Sequence, residues 1–181
     1  VFMLKRQGRM HHDIADFPNR AFYAGQLTEV PLEHQQQPLP EAAPHADFFK
    51  NILTTQRIAF IAAPQPPKSP SDKVNQTEAD LIAEAVVKIY ELTGSNFDVA
   101  HTVGIIVPYR NQIATIRNTI DRYSIPALHD ITIDTVERYQ GSQRDYILYG
   151  FTIQQYYQLN FLTDTVFEED GALIDRKLNV A

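Results

Sequence analysis

The sequence predicts an α/β fold in which helices cover a parallel sheet. Three observations carry that expectation. Segments of strand and helix character alternate from residue 57 onward, in the order strand–helix–strand–helix–strand–strand. The strands are nearly continuous apolar runs, as a sheet buried on both faces requires. The helices between them repeat apolar residues at helical spacing.

Taken in order, "RIAFIAA" (57–63) reads as a short buried strand. "NQTEADLIAEAVVKIYELTG" reads as a helix: Leu81, Ala85, Val86, Ile89 and Tyr90 recur at helical spacing, and Gly94 stops it. Asn75 and Glu78 have the spacing of a capping box, in which each side chain satisfies a backbone donor of the other residue. "TVGIIVPYR" is a strand ending in Pro108-Tyr109, and "NQIATIRNTIDRY" is a helix with Ile113, Ile116 and Ile120 on one face. Arg117 and Arg122 lie off that face and read as solvated. "ITIDTVERYQGSQRDYILYGFT" (131–152) then supplies a strand, a polar loop and a further strand resuming at Tyr146-Ile147-Leu148. Within the loop, Arg144 reads as exposed. Eight of the eleven prolines fall between Pro31 and Pro70, which marks 31–50 and 64–73 as proline-rich loops.

At 181 residues the chain is one domain, 1–181, with a real core. A hydrophobic content of 44% with 21% charged residues fits a globular protein, not a disordered one. There is no cysteine, hence no disulfide framework and no thiolate metal site, and a cytoplasmic location is expected. No apolar stretch is long enough to cross a bilayer, and "VFMLKRQGRM" lacks the apolar core of a signal peptide. The net charge of −6 gives no global sign of nucleic-acid binding, although a groove needs only a few well-placed cations. The start at Val1 and the end at "RKLNVA" read as those of a piece of a longer protein.

Ligands in open parallel sheets bind beyond the carboxyl ends of the strands. "PYRNQ", "VERYQGSQRD" and "LNVA" fall at such ends, and "KRQGRMHHDIADF" is a fourth polar segment. These segments carry a resemblance. "LKRQGRMHHDIADFPNRAFYAGQL", "NQTEADLI", "GIIVPYRNQI", "TIDTVERYQGSQRDYIL" and "RKLNVA" follow, in order, five segments of superfamily 1 helicases. The group resembled contains the nonsense-mediated-decay helicase and the Okazaki-flap helicase-nuclease. The similarity runs from Leu4 to Ala181, interrupted by the proline-rich segments and by 153–174.

The resemblance implies a three-layer RecA-like (P-loop NTPase-like) parallel sheet with helices on both faces, lacking its own phosphate loop. No G-x-x-x-x-G-K-[ST] occurs, in keeping with a second, C-terminal motor domain. In the full-length protein ATP and Mg²⁺ would lie between it and an N-terminal RecA-like domain of the same chain. Single-stranded DNA or RNA would run across both, and the domain alone would be inactive. By the same resemblance Arg9 is the arginine finger, stabilising charge on the transferring phosphoryl from across the cleft. Gln140, Gly141 and Gln143 face ATP, Asp145 anchors their loop, and Tyr109, Arg110 and Thr135 contact the nucleic-acid strand. Two positions depart from the family pattern. Gly8 stands where a tyrosine is usual, and Gln143 where a glutamate is usual.

Other readings stay open on the residues themselves. Arg9 is also a surface arginine, Gly141 also the glycine of a tight turn, and Tyr109 also a half-buried ring closing the sheet. His11-His12 carries no metal reading, since adjacent side chains diverge and no partner pair has ligand spacing, so the expected metal is none. Met10 and Phe17 read as packing. The Gly8 and Gln143 departures also suit a degenerate, non-catalytic RecA-like scaffold or interaction module. An unrelated Rossmann-like enzyme would need a glycine-rich loop after its first strand, which the sequence does not offer.

Overall fold

In a computed structural model, the described residues are 5–39, 41–64, 71–139, 143–159, 166–169 and 172–175. They fall into two compact units, one of Val1–Phe60 with Glu168–Asp175 and one of Ile61–Phe167 with the last six residues. Each is taken by itself.

The second unit holds the sheet. Strand β3 (Val103–Val107) lies between β4 (Thr132–Thr135) and β5 (Tyr146–Tyr149), parallel to both. All five β3 residues are buried, as expected for a central strand covered on both faces. On one face Ile106 packs with Tyr149 and with Val136 and Tyr139 of the single-turn helix α6 (Val136–Tyr139). A Cβ on Gly104 would lie 1.6 Å from the Tyr139 hydroxyl, so only glycine lets that ring sit against the strand. On the other face, a Cβ on Gly150 would meet Ile82 of helix α4 (Gln76–Thr93) and Val107 at 3.1 and 3.2 Å. Helix α5 (Arg110–Asp121) packs along α4 and connects β3 to β4. Ile89, Ile105 and Ile116 are fully buried, each contributing about 1.5–3 kcal/mol by leaving water. The α/β class and the parallel sheet are thus as the sequence predicts.

Helix α4 is capped at Asn75 and Gly94, but the capping box is divided differently from the expectation. The Asn75 side chain accepts the Glu78 N–H at 3.1 Å. The Asn75 N–H donates instead to Oε1 of the buried Gln112 on α5, at 2.9 Å, and the Gln112 amide donates back to the Asn75 carbonyl at 2.9 Å. Glu78 is thereby released from the cap.

Two arginine expectations are corrected in this unit. Arg117 is half-buried, not solvated, and its guanidinium donates to the carbonyls of Leu128, His129 and Ile131 (3.3, 2.6 and 2.6 Å). Those carbonyls lie just ahead of β4, where a single five-donor fork serves all three. Arg144 is half-buried as well; it donates to the Gln143 carbonyl and the Thr132 hydroxyl (2.7 and 3.1 Å) and lies over the Tyr139 ring. Asp145 is exposed, and its backbone N–H donates to the His101 carbonyl at 3.0 Å.

In the first unit β1 (Arg6–Gln7) and β2 (Thr28–Glu29) form a short parallel pair. Between them runs α1 (His12–Phe22), closed by Asn19, whose side chain bonds both the N–H and the carbonyl of Leu27. Within 31–50 the chain forms a one-turn helix, α2 (Glu33–Gln36), and the start of α3 (Phe48–Thr55). Phe17 is not packed as expected: it is 57% exposed, with its ring edge-on to Phe22.

The expected strand at 57–63 is absent. Its residues are irregular, and Phe60 is 79% exposed. No described strand runs beside it to take its backbone groups, while Arg57 turns back to Asp13 and the Gln37 carbonyl. A further pair, β6 (Val166–Glu169) with β7 (Ala172–Asp175), forms a separate two-stranded sheet.

Candidate functional site

In the sheet unit the register sets the candidate residues at one end. Val107, the last residue of β3, pairs with Thr135, the last of β4. Tyr109 and Arg110 follow β3 directly: Tyr109 is the half-buried N-cap residue of α5, and Arg110 is exposed on its first turn. Thr135 is only 8% exposed, and its N–H donates to Asp134 Oδ1 at 2.8 Å. Asp134 is in turn 3.5 Å from Arg138. Gln143 is exposed beside β5, while Gln140 and Gly141 lie outside the described residues.

The carboxyl end of β5 joins the same edge. Gly150 donates its N–H to the Ile106 carbonyl at 2.9 Å. Glu78 then takes the N–H groups of Phe151 and Thr152 at 2.8 Å each, the Thr152 hydroxyl at 3.1 Å and the Gln112 amide at 3.2 Å. Burial pushes the Glu78 carboxyl above its ordinary range, and the bonds from Thr152, Phe151 and Gln112 hold it down in part. Thr152 adopts a φ of 54°, a left-handed conformation that a threonine keeps only when its surroundings fix it. One carboxylate thus ties the start of α4 to the exit of β5.

Arg9 belongs to the first unit, where it is exposed on a turn built by glutamines. The Gln7 side chain accepts the N–H groups of Arg9 and Met10 (2.9 and 2.7 Å) and donates to the Met10 carbonyl at 2.8 Å. The fully buried Gln35 donates to the carbonyls of Gln7 and Met10 (3.0 and 3.1 Å), and His34 bonds the Gly8 carbonyl at 3.0 Å. Sequence reasoning missed this set. Its signal was a run of polar residues in a proline-rich segment, where no periodicity marks a glutamine as buried.

The expected divergence of His11 and His12 is corrected: their ring centroids lie 4.0 Å apart, and with Asp13 their ligating atoms lie within 4.8 Å of one another. These groups already serve the fold. His11 caps α1 by accepting the Asp13 N–H at 3.2 Å, and Asp13 receives Arg57 at 3.4 Å.

A family model described as AAA domain matches residues 1–181, the whole chain. The chain belongs to the AAA domain family. Among its relatives are Regulator of nonsense transcripts 1 of Dictyostelium discoideum, 30% identical over 97% of this chain, and Helicase SEN1 of Saccharomyces cerevisiae, 30% identical over 81%. The DNA replication ATP-dependent helicase/nuclease dna2 of Schizosaccharomyces pombe is 25% identical over 83%. The chain spans 12%, 6% and 11% of those three proteins. This AAA domain is therefore a superfamily 1 helicase-family domain of RecA-like α/β fold, as its ordered motifs imply. Among the described residues no helix is long and apolar enough to cross a membrane.

Proposed function

We propose that this chain is the second, C-terminal RecA-like half of an ATP-dependent nucleic-acid helicase or translocase, residues 1–181 forming that domain with proline-rich loops at 31–50 and 64–73. The observation that carries the reading is the shared edge at which Tyr109 and Arg110 follow β3 and Thr135 ends β4, in a chain whose relatives include proteins named as helicases. An exposed guanidinium with neutral neighbours suits sequence-independent contact with a phosphate, and Tyr109 with Thr135 adds ring and hydroxyl. Arg9 serves as the arginine finger. The exposed Arg9 on a turn braced by two glutamines fits a donor that reaches a phosphoryl oxygen supplied from elsewhere, with no reorganisation of its own backbone.

ATP with Mg²⁺ supplies the phosphoanhydride bond that is hydrolysed, and Gln140, Gly141 and Gln143 border it. The N-terminal RecA-like domain of the same protein supplies the phosphate loop and the Mg²⁺ carboxylates, so the isolated domain has no turnover. The substrate track is single-stranded DNA or RNA inside the cell. In the full-length protein Arg9→Ala abolishes nucleic-acid-stimulated ATP hydrolysis while nucleotide affinity changes little; a normal kcat in that variant overturns the finger assignment. ATP turnover by the isolated domain overturns its dependence on a partner domain.

A further inference from the structure

The segment after β5, "TIQQYYQ" (152–158), had no role in the sequence reading, and the structure gives it one. It is a tight turn built by two glutamines. Gln158, buried, accepts the N–H groups of Gln154 and Gln155 (2.7 and 2.8 Å) and donates to the carbonyls of Asp72 and Thr152 (2.6 and 3.2 Å). Gln154 donates to the carbonyls of Ser71 and Val74. The strip 71–75 is held in turn by Gln112, two residues into the helix that Arg110 begins. The amides of Gln158, Gln154 and Gln112 thus join this turn to the strip 71–75 and that strip to the start of α5.

On this anchored turn stand two rings facing water. Tyr156 is 86% exposed, and Tyr157 is 57% exposed with its hydroxyl donating to Asp72. A turn so firmly braced has no need of two exposed aromatics for its own stability, because neither ring covers core. The Tyr157 phenol is pushed upward in pKa, first by its bond to Asp72. Exposed cations stand on the same strip and at the start of the same helix: Lys73 follows Asp72, and Arg110 follows Tyr109. Asp72, the acid among them, is engaged by Tyr157.

We propose that Tyr156 and Tyr157 form a stacking platform for the bases of a single-stranded nucleic acid whose phosphates run past Lys73 and Arg110. Flat rings with adjacent cations match the two faces of a single strand, its π surfaces and its charged backbone, and such stacking tolerates any sequence. A docking surface for another protein would instead present a contiguous apolar patch with its rim of polar groups. This inference rests on the nucleic-acid reading of Tyr109, Arg110 and Thr135, and it extends that path toward residues outside the helicase motifs.

The test uses the full-length protein, with oligo(dT), oligo(U) and an abasic strand of equal length as fluorescent probes. Tyr156→Ala weakens binding to the base-bearing strands about tenfold, within the range of one base–aromatic stack. It leaves the abasic strand and the salt dependence unchanged, and Tyr156→Phe behaves as the parent. Photocrosslinking from a strand carrying 5-iodouracil yields an adduct on Tyr156 or Tyr157. Equal affinity of Tyr156→Ala and parent for oligo(dT) and oligo(U), or an equal loss on base-bearing and abasic strands, overturns the platform and leaves the motif contacts standing. Failure of the parent to bind any of the three probes overturns the nucleic-acid reading itself, and the platform with it.

Discussion

Glu78, on the first turn of α4, accepts the backbone N–H of Thr152 with both oxygens, at 2.8 and 3.1 Å, across 74 residues of sequence. The sign of its pH dependence follows from its raised carboxyl. The folded state holds the Glu78 proton more tightly than the unfolded chain does, so the stability tied to the neutral form is complete below about pH 4.5 and is lost as pH rises through the folded value. Glu78→Gln removes that dependence: urea unfolding at several pH values gives a flatter profile on the alkaline side of pH 4.5 than the parent. Glu78→Ala strands the two N–H groups and costs about 1–3 kcal/mol below about pH 4.5, and less as pH rises.

Tyr139 and Gly104 give a second expectation. The Tyr139 hydroxyl is buried and has no hydrogen-bond partner among the described residues. Tyr139→Phe keeps the ring and removes the unpaired hydroxyl, raising stability by about 1 kcal/mol. Gly104→Ala forces a Cβ into that ring and lowers stability by about 1–3 kcal/mol or more. Tyr139→Phe does not rescue it, since the ring carbon at 2.6 Å remains. Thermal melts of the single and double variants check both statements.

Arg117 and Arg122 lie near the end of the same helix and differ in consequence. Arg117→Ala removes the donor to three carbonyls ahead of β4 and costs about 1.5–3 kcal/mol. Arg122 is exposed, and Arg122→Ala stays within about 0.5 kcal/mol of the parent. Chemical denaturation of the two variants, side by side, tests the contrast.

Gln35 acts on Arg9 through the turn that carries it. Gln35→Leu conserves volume but leaves the Gln7 and Met10 carbonyls without that donor. Amide hydrogen exchange at Arg9 and Met10 quickens. In the full-length protein the stimulated kcat for ATP falls several-fold with the nucleic-acid Kd unchanged, which separates loss of finger placement from general unfolding.

The sheet unit was readable because its signals are local. Apolar runs gave β3, β4 and β5, and Asn75 with Gly94 bounded α4. The strand expected at 57–63 failed because apolar character says nothing of whether a neighbour exists to pair with. Long polar side chains were the other blind spot. Gln35, Gln112, Arg117 and Arg144 look solvated in a sequence, yet each is buried or half-buried on carbonyls or side chains distant along the chain. Composition cannot reveal which distant backbone and side-chain groups a fold brings within reach of these donors.

The central place of β3 also has a consequence for biosynthesis. Both strands that cover its edges come later in the chain, β4 starting at Thr132 and β5 at Tyr146. A ribosome therefore delivers the apolar core strand of this sheet with two bare edges, and neither closes until the chain has grown well past it. During that interval "VGIIV" is open to pairing with other nascent chains, and chaperone dependence should concentrate there rather than in the finished domain.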